Sequence, residues 1–154
     1  MSNRRTDEYG GPFENRIRFP LEVVEEVRKA VGSDTSLLYR LGAYDGQEGG
    51  VTISECQAFA RKLVEAGINL VDVSGGLVGS RPEGLVSQGY FLPQAEKIKQ
   101  AVEVPVIGVG GIKDPEFADE AIRQKRVDLV AVGRAILLDP DWSLNAANIL
   151  GRKT

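Results

Sequence analysis

The residues most suited to chemistry lie in two glycine-rich turns and in two arginines. Ile107-Gly108-Val109-Gly110-Gly111-Ile112 and Val130-Ala131-Val132-Gly133-Arg134-Ala135 each run from an apolar strand into a turn. Glycines at such turns let backbone N–H groups approach anionic oxygens, and a helix starting there adds partial positive charge. Arg134 supplies a guanidinium able to make a bidentate, charge-assisted contact. One such turn could serve strand–helix packing alone. Two in succession, at the ends of strands separated by one helix, point to a phosphate-bearing ligand without naming it. Arg40 stands inside the apolar run Leu37 to Leu41, where a cation is costly unless it faces a ligand or a carboxylate. It is aimed at an electron-rich cofactor, or it pairs with Asp45 or another nearby acid; the residue alone does not choose. Ser74 and Gly75 close a strand, where barrel enzymes place ligand contacts, and Asp72 reads as a structural acceptor for backbone donors rather than a catalytic group. Cys56 falls on the apolar stripe of a helix and reads as core.

The elements that must position these groups alternate. Ile17, Leu21, Val24, Val27 and Val31 recur at helical spacing, with Pro12 able to open the helix and Gly32 to stop it. Pro20 is expected to kink its first turns or move the start to about residue 20. A strand over 37–41 follows, then a helix over 53–66 behind the capping-box pair Thr52 and Glu55. Next come a strand over 70–74, a glycine-rich loop from Gly75 to about Gly89, and a helix opened by Pro93. Strands over 105–109 and 127–132 flank a helix capped by Asp114-Pro115. A short apolar helix after Gly133 ends near Asp139-Pro140, with Trp142 just beyond. This rhythm predicts an α/β fold with about four parallel strands and right-handed crossovers, a half of a (β/α)8 TIM barrel in one domain over 1–154. A complete barrel takes about 250 residues, and four strands cannot close one. Two unpaired edges and an apolar inner face predict a homo-oligomer or pairing with a complementary N-terminal half-barrel.

Composition narrows the function classes. The 154 residues carry a net charge of -3, without the basic face that nucleic acid would require. With no histidine, the chain itself offers no imidazole base or zinc ligand, and its single cysteine excludes an internal disulfide. No apolar run approaches a membrane span, and the polar N-terminus is unlike a signal peptide, so a cytoplasmic protein is expected.

The stretch Asn3-Arg4-Arg5-Thr6-Asp7-Glu8-Tyr9-Gly10-Gly11, continued by Glu14-Asn15-Arg16-Ile17-Arg18-Phe19, resembles the segment after the fourth barrel strand of old yellow enzymes and related NADH:flavin oxidoreductases. Tyr39-Arg40-Leu41, Val109-Gly110-Gly111-Ile112 and Val132-Gly133-Arg134 extend the resemblance along essentially the whole chain. The resemblance implies an oxidoreductase with FMN as cofactor, NADH or NADPH as reductant and a small-molecule acceptor such as an activated alkene. It places Arg40 beside the flavin pyrimidine ring and the FMN phosphate on Gly110, Gly111, Ile112, Gly133 and Arg134, while Ser74 stands as a cofactor contact from its strand-end position alone. The family's first four strands, its substrate-binding histidine pair and its tyrosine proton donor have no counterpart here, so little turnover is expected of the chain alone. A self-associating structural half-barrel, half of a two-chain enzyme, and a fragment of another phosphate-binding barrel are the competing readings.

Overall fold

The computed structural model describes residues 3–46, 48–75, 84 and 87–151. Ten elements follow one another: α1 (Phe13–Val31), β1 (Leu38–Gly42), α2 (Ile53–Glu65), β2 (Leu70–Ser74), α3 (Leu92–Lys99), β3 (Val106–Gly108), α4 (Pro115–Arg123), β4 (Leu129–Val130), α5 (Arg134–Leu138) and α6 (Trp142–Ile149). The strands form one parallel sheet in the order β1-β2-β3-β4, the expected half-barrel alternation.

The two faces of the sheet differ. Leu41, Val71, Val73 and Val106 are buried against Ala60 and Leu63 of α2 and Leu92, Ala95 and Ile98 of α3. Removing each large aliphatic side chain from water contributes roughly 1.5–3 kcal/mol, which makes this layer the main source of stability. The opposite face carries Arg40, Asp72, Ile107 and Leu129, partners in register straight across all four strands. These side chains are exposed or half-buried, so that face is open and mixes charge with apolar surface.

Local chemistry sets the helix starts. Thr52 Oγ1 accepts from Glu55 N at 3.2 Å while Glu55 Oε2 accepts from Thr52 N at 3.0 Å, a reciprocal cap on α2. The Thr52 amide, and after it the Arg16 guanidinium, hold the Glu55 carboxyl below its ordinary value, and the Arg16–Glu55 ion pair ties α1 to α2. Asp114 caps α4 through Glu116 N at 3.0 Å.

Four expectations need correction. Helix α1 starts at Phe13 and runs on through Pro20, which overturns the expected start near residue 20. Its first turns are held from outside, by Asn15 Nδ2 on Gly10 O and Arg16 Nε on Gly11 O, so a missing amide at Pro20 does not displace the start. Strand β4 keeps two residues rather than six, because its neighbour β3 spans only Val106–Gly108 before turning away and meets it at two positions; Val127 is buried ahead of it and Ala131 N reaches Gly108 O at 2.9 Å beyond it. Trp142, placed in the sequence only as lying just beyond the short apolar helix, opens an eight-residue helix, α6. Asp72, expected as an acceptor for backbone donors, finds none among the described residues and takes the Arg40 guanidinium.

Candidate functional site

A cleft of about 860 Å³ lies where the strands end, and its walls come from the loops that leave β2, β3 and β4. All seven residues singled out in the sequence line it: Arg40 from β1, Ser74 from the end of β2, Gly110, Gly111 and Ile112 after β3, and Gly133 and Arg134 after β4. The two glycine turns therefore open toward one space at the same end of neighbouring strands, with Arg40 at the same mouth.

The turns themselves are built to expose backbone. Gly110 and Gly111 have φ of +132° and +67°, values that side chains resist. A Cβ on Gly110 would lie 2.6 Å from Tyr90 N and 2.7 Å from Phe91 N. That closeness is used, since Gly110 O accepts from Gly89 N at 2.6 Å and Tyr90 N at 3.3 Å, tying the β2–α3 loop to the β3 turn. At Gly133 a Cβ would meet nothing within 4 Å, so the backbone there borders open cleft. The amides of Gly110, Gly111, Ile112, Gly133, Arg134 and Ala135 find no acceptor among the described residues. Gly110 and Ile112 are buried and Gly111 and Ala135 half-buried, where an amide without a partner is costly, while Gly133 and Arg134 are exposed to the cleft. An anion seated between the turns would satisfy several at once, so the donor set fits a phosphate group.

Arg40 settles the choice left open by its residue type in both directions. Its Nη1 pairs with Asp72 Oδ2, not with Asp45, and its Nη2 donates to Ser74 Oγ at 3.0 Å. Asp45 instead accepts from Val51 N at 2.9 Å. The Arg40 side chain is nevertheless 62% exposed and lines the cleft, so the acid orients the cation without enclosing it. Asp72 Oδ1 is buried without a hydrogen-bond partner among the described residues.

Several lining residues carry no signal in the sequence. Tyr90 and Gln88 come from the irregular β2–α3 loop, whose partners no spacing rule reveals. Gln88 Oε1 accepts from Lys113 N at 3.0 Å and Asp114 N at 3.1 Å, bracing the far side of the β3 turn. Trp142 Nε1 donates to Lys113 O at 2.8 Å, which anchors α6 to that turn. Within the glycine-rich loop expected from Gly75 to about Gly89, residues 76–83, 85 and 86 lie outside the described residues. Cys56 is buried, and burial, followed by the charges of Asp45 and Glu55, pushes its thiol up to about 11, as befits a core residue.

The polar N-terminal stretch plays another part. Asn3 Nδ2 donates to Tyr9 O at 2.7 Å, Arg5 pairs with Asp7, and Arg18 Nε reaches Glu8 O at 2.8 Å. None of its described residues lines the cleft; it forms a compact knot that delivers the chain into α1.

Comparison with known proteins gives the same direction. The model of the NADH:flavin oxidoreductase / NADH oxidase family matches residues 1–152. An NADH oxidase of Thermoanaerobacter brockii is 44% identical across 94% of this chain and 23% of its own length. An NADPH dehydrogenase of Geobacillus thermodenitrificans is 40% identical across 99% of this chain and 44% of its own. Among solved structures, a 2-naphthoyl-CoA reductase in complex with 2-naphthoyl-CoA superposes with a TM-score of 0.82 at 30% identity, over 98% of this chain and 23% of that one. The chain thus spans 23% to 44% of the length of these curated relatives, and its strands and helices correspond to part of the TIM barrels of its structural neighbours. A match over nearly every residue, in sequence and in fold, places the chain in the NADH:flavin oxidoreductase / NADH oxidase family.

Proposed function

We propose that the cleft is the phosphate and pyrimidine end of an FMN site, and that the chain serves an NAD(P)H-dependent oxidoreductase acting on a small-molecule acceptor. One observation carries the reading: two glycine turns with unpaired amides, Arg134 and the exposed face of Arg40 line a single cleft in a chain of this family. Gly110, Gly111, Ile112, Gly133 and Arg134 hold the phosphate. Arg40, held by Asp72 and steadied by Ser74, sits where it offsets negative charge on the reduced flavin ring. FMN supplies the redox chemistry; the residues of this chain bind and orient it and set the local field.

With no histidine in the sequence, the chain has no imidazole of its own for proton delivery to an acceptor. Turnover therefore depends on groups outside these residues, and the chain alone binds flavin with little activity. Titrating FMN into the protein and following flavin fluorescence tests this. Saturable quenching by FMN, and weaker quenching by riboflavin, are expected; unchanged fluorescence at high protein concentration removes the reading.

The open sheet face favours a second polypeptide surface in the working enzyme. Leu38 and Leu129 on that side, with Leu137 and Leu138 of α5 84% and 88% exposed, form apolar surface that water does not favour. A complementary half-barrel or another copy of the chain covers it, and a solution mass above that of one chain is expected. Among the described residues no helix is long and apolar enough to cross a membrane. The single cysteine fits a reducing, cytoplasmic setting.

A further inference from the structure

We infer that Tyr90 is a positioning residue that makes the site discriminate FMN from flavin lacking the phosphate. The inference rests on the flavin reading above and adds a residue and a specificity to it. Tyr90 joins three loops at one point. Its backbone N donates to Gly110 O at 3.3 Å, its hydroxyl accepts from Arg134 Nη2 at 3.2 Å, and its ring stands edge-on to Phe91 at 4.8 Å between centroids. The loop after β2 therefore reaches across the turn after β3 to hold the arginine that follows β4.

Gly111 shows how close the fit is. A Cβ there would sit 2.9 Å from Tyr90 Cε1 and 3.4 Å from Arg134 Nη2, so ring and guanidinium pass over the bare backbone of the phosphate turn. Phe91 fixes the ring from behind, and is itself packed so tightly on Gly75 that a Cβ there would lie 2.4 Å from its ring. An exposed arginine without such a brace samples many rotamers, and each productive contact with an anion then costs the entropy of ordering it. Tyr90 removes most of that freedom beforehand, so its contribution appears only with a ligand that carries the phosphate.

The test compares FMN and riboflavin binding by fluorescence or calorimetry for the whole chain, Tyr90→Phe, Arg134→Met and the double variant. Tyr90→Phe keeps the ring and its packing, and Arg134 has an exposed side chain, so both variants are expected to fold, as a thermal melt verifies. Tyr90→Phe should weaken FMN roughly 3- to 10-fold through loss of one hydrogen bond, leave riboflavin unchanged, and add nothing in the Arg134→Met background. Equal weakening of both flavins, or additive losses in the double variant, would mean a merely structural tyrosine and overturn the inference while leaving the flavin site standing. Failure of the unmodified chain to prefer FMN would overturn the flavin reading itself, and this inference with it.

Discussion

Gly110→Ala and Gly133→Ala change the same atom in neighbouring turns, and the structure assigns them opposite consequences. At Gly110 the new methyl would strike backbone nitrogens at 2.6 and 2.7 Å and force an alanine to φ +132°. Strain of that kind costs roughly 1–3 kcal/mol, and the two bonds accepted by Gly110 O, about 0.5–1.5 kcal/mol each, are disturbed as the loop retreats. A loss of about 2–5 kcal/mol follows, a large share of a stability of typically 5–15 kcal/mol. At Gly133 the φ is -108° and the methyl has no neighbour within 4 Å, so stability should move by about 0.5 kcal/mol or less. On the proposed flavin reading, the same methyl would stand in the space the phosphate takes. Losing one charge-assisted contact costs about 1.5–3 kcal/mol, which weakens FMN roughly 10- to 150-fold and leaves riboflavin untouched. Urea denaturation and flavin titration of both variants decide the matter. A Gly133→Ala protein that is stable and binds FMN at full strength, or a Gly110→Ala protein as stable as the parent, would refute the reasoning.

Other substitutions probe the supports of the site. Asp72→Asn releases Arg40 from a partly exposed pair, so stability should fall by about 1 kcal/mol at most while FMN and riboflavin both bind several-fold more weakly; unchanged binding would mean that Arg40 needs no orienting acid. Thr52→Ala removes the α2 cap and should cost about 1 kcal/mol in urea unfolding, a loss that Thr52→Ser largely avoids. Because the folded-state value of Glu55 lies below the usual 4.5, its stabilisation is complete above that pH and fades as pH falls through the lower value. Glu55→Gln should therefore flatten the acid limb of the stability–pH curve, and an unaltered limb would contradict it. With its thiol near 11 and buried, Cys56 should resist iodoacetamide at pH 8 until denaturant is added; rapid alkylation of the folded chain would show the helix packing to be wrong.

Much of this architecture is legible in the residues because each element carries a local reason for itself. Thr52 and Glu55 announce α2, Asp114-Pro115 announces α4, and the run Leu70 to Ser74 forms β2 within the bounds its pattern suggests. The cleft is legible because glycines followed by an arginine can be read without knowing their neighbours. What escapes is whatever depends on contacts between distant segments. Pro20 reads as a breaker, but Arg16 and Asn15 anchor α1 through groups that no helical period records. The shortness of β4 follows from the three-residue β3 beside it, which breaks into its glycine turn after Gly108, a fact of pairing and not of the apolar sequence of β4. Tyr90 meets Arg134 across 44 residues, and Arg40 meets Asp72 across 32; residue type prepares each group for an ion pair or hydrogen bond without naming the other half.

The central claim is that the unpaired amides after β3 and β4 receive the phosphate of a flavin nucleotide. Amide-resolved NMR of the 15N-labelled chain during titration with FMN tests it most directly. The resonances of Gly110, Gly111, Ile112, Gly133 and Arg134 should shift together and saturate with the binding curve, and riboflavin should leave them largely in place. Shifts confined to other residues, or the same shifts with riboflavin, would contradict it.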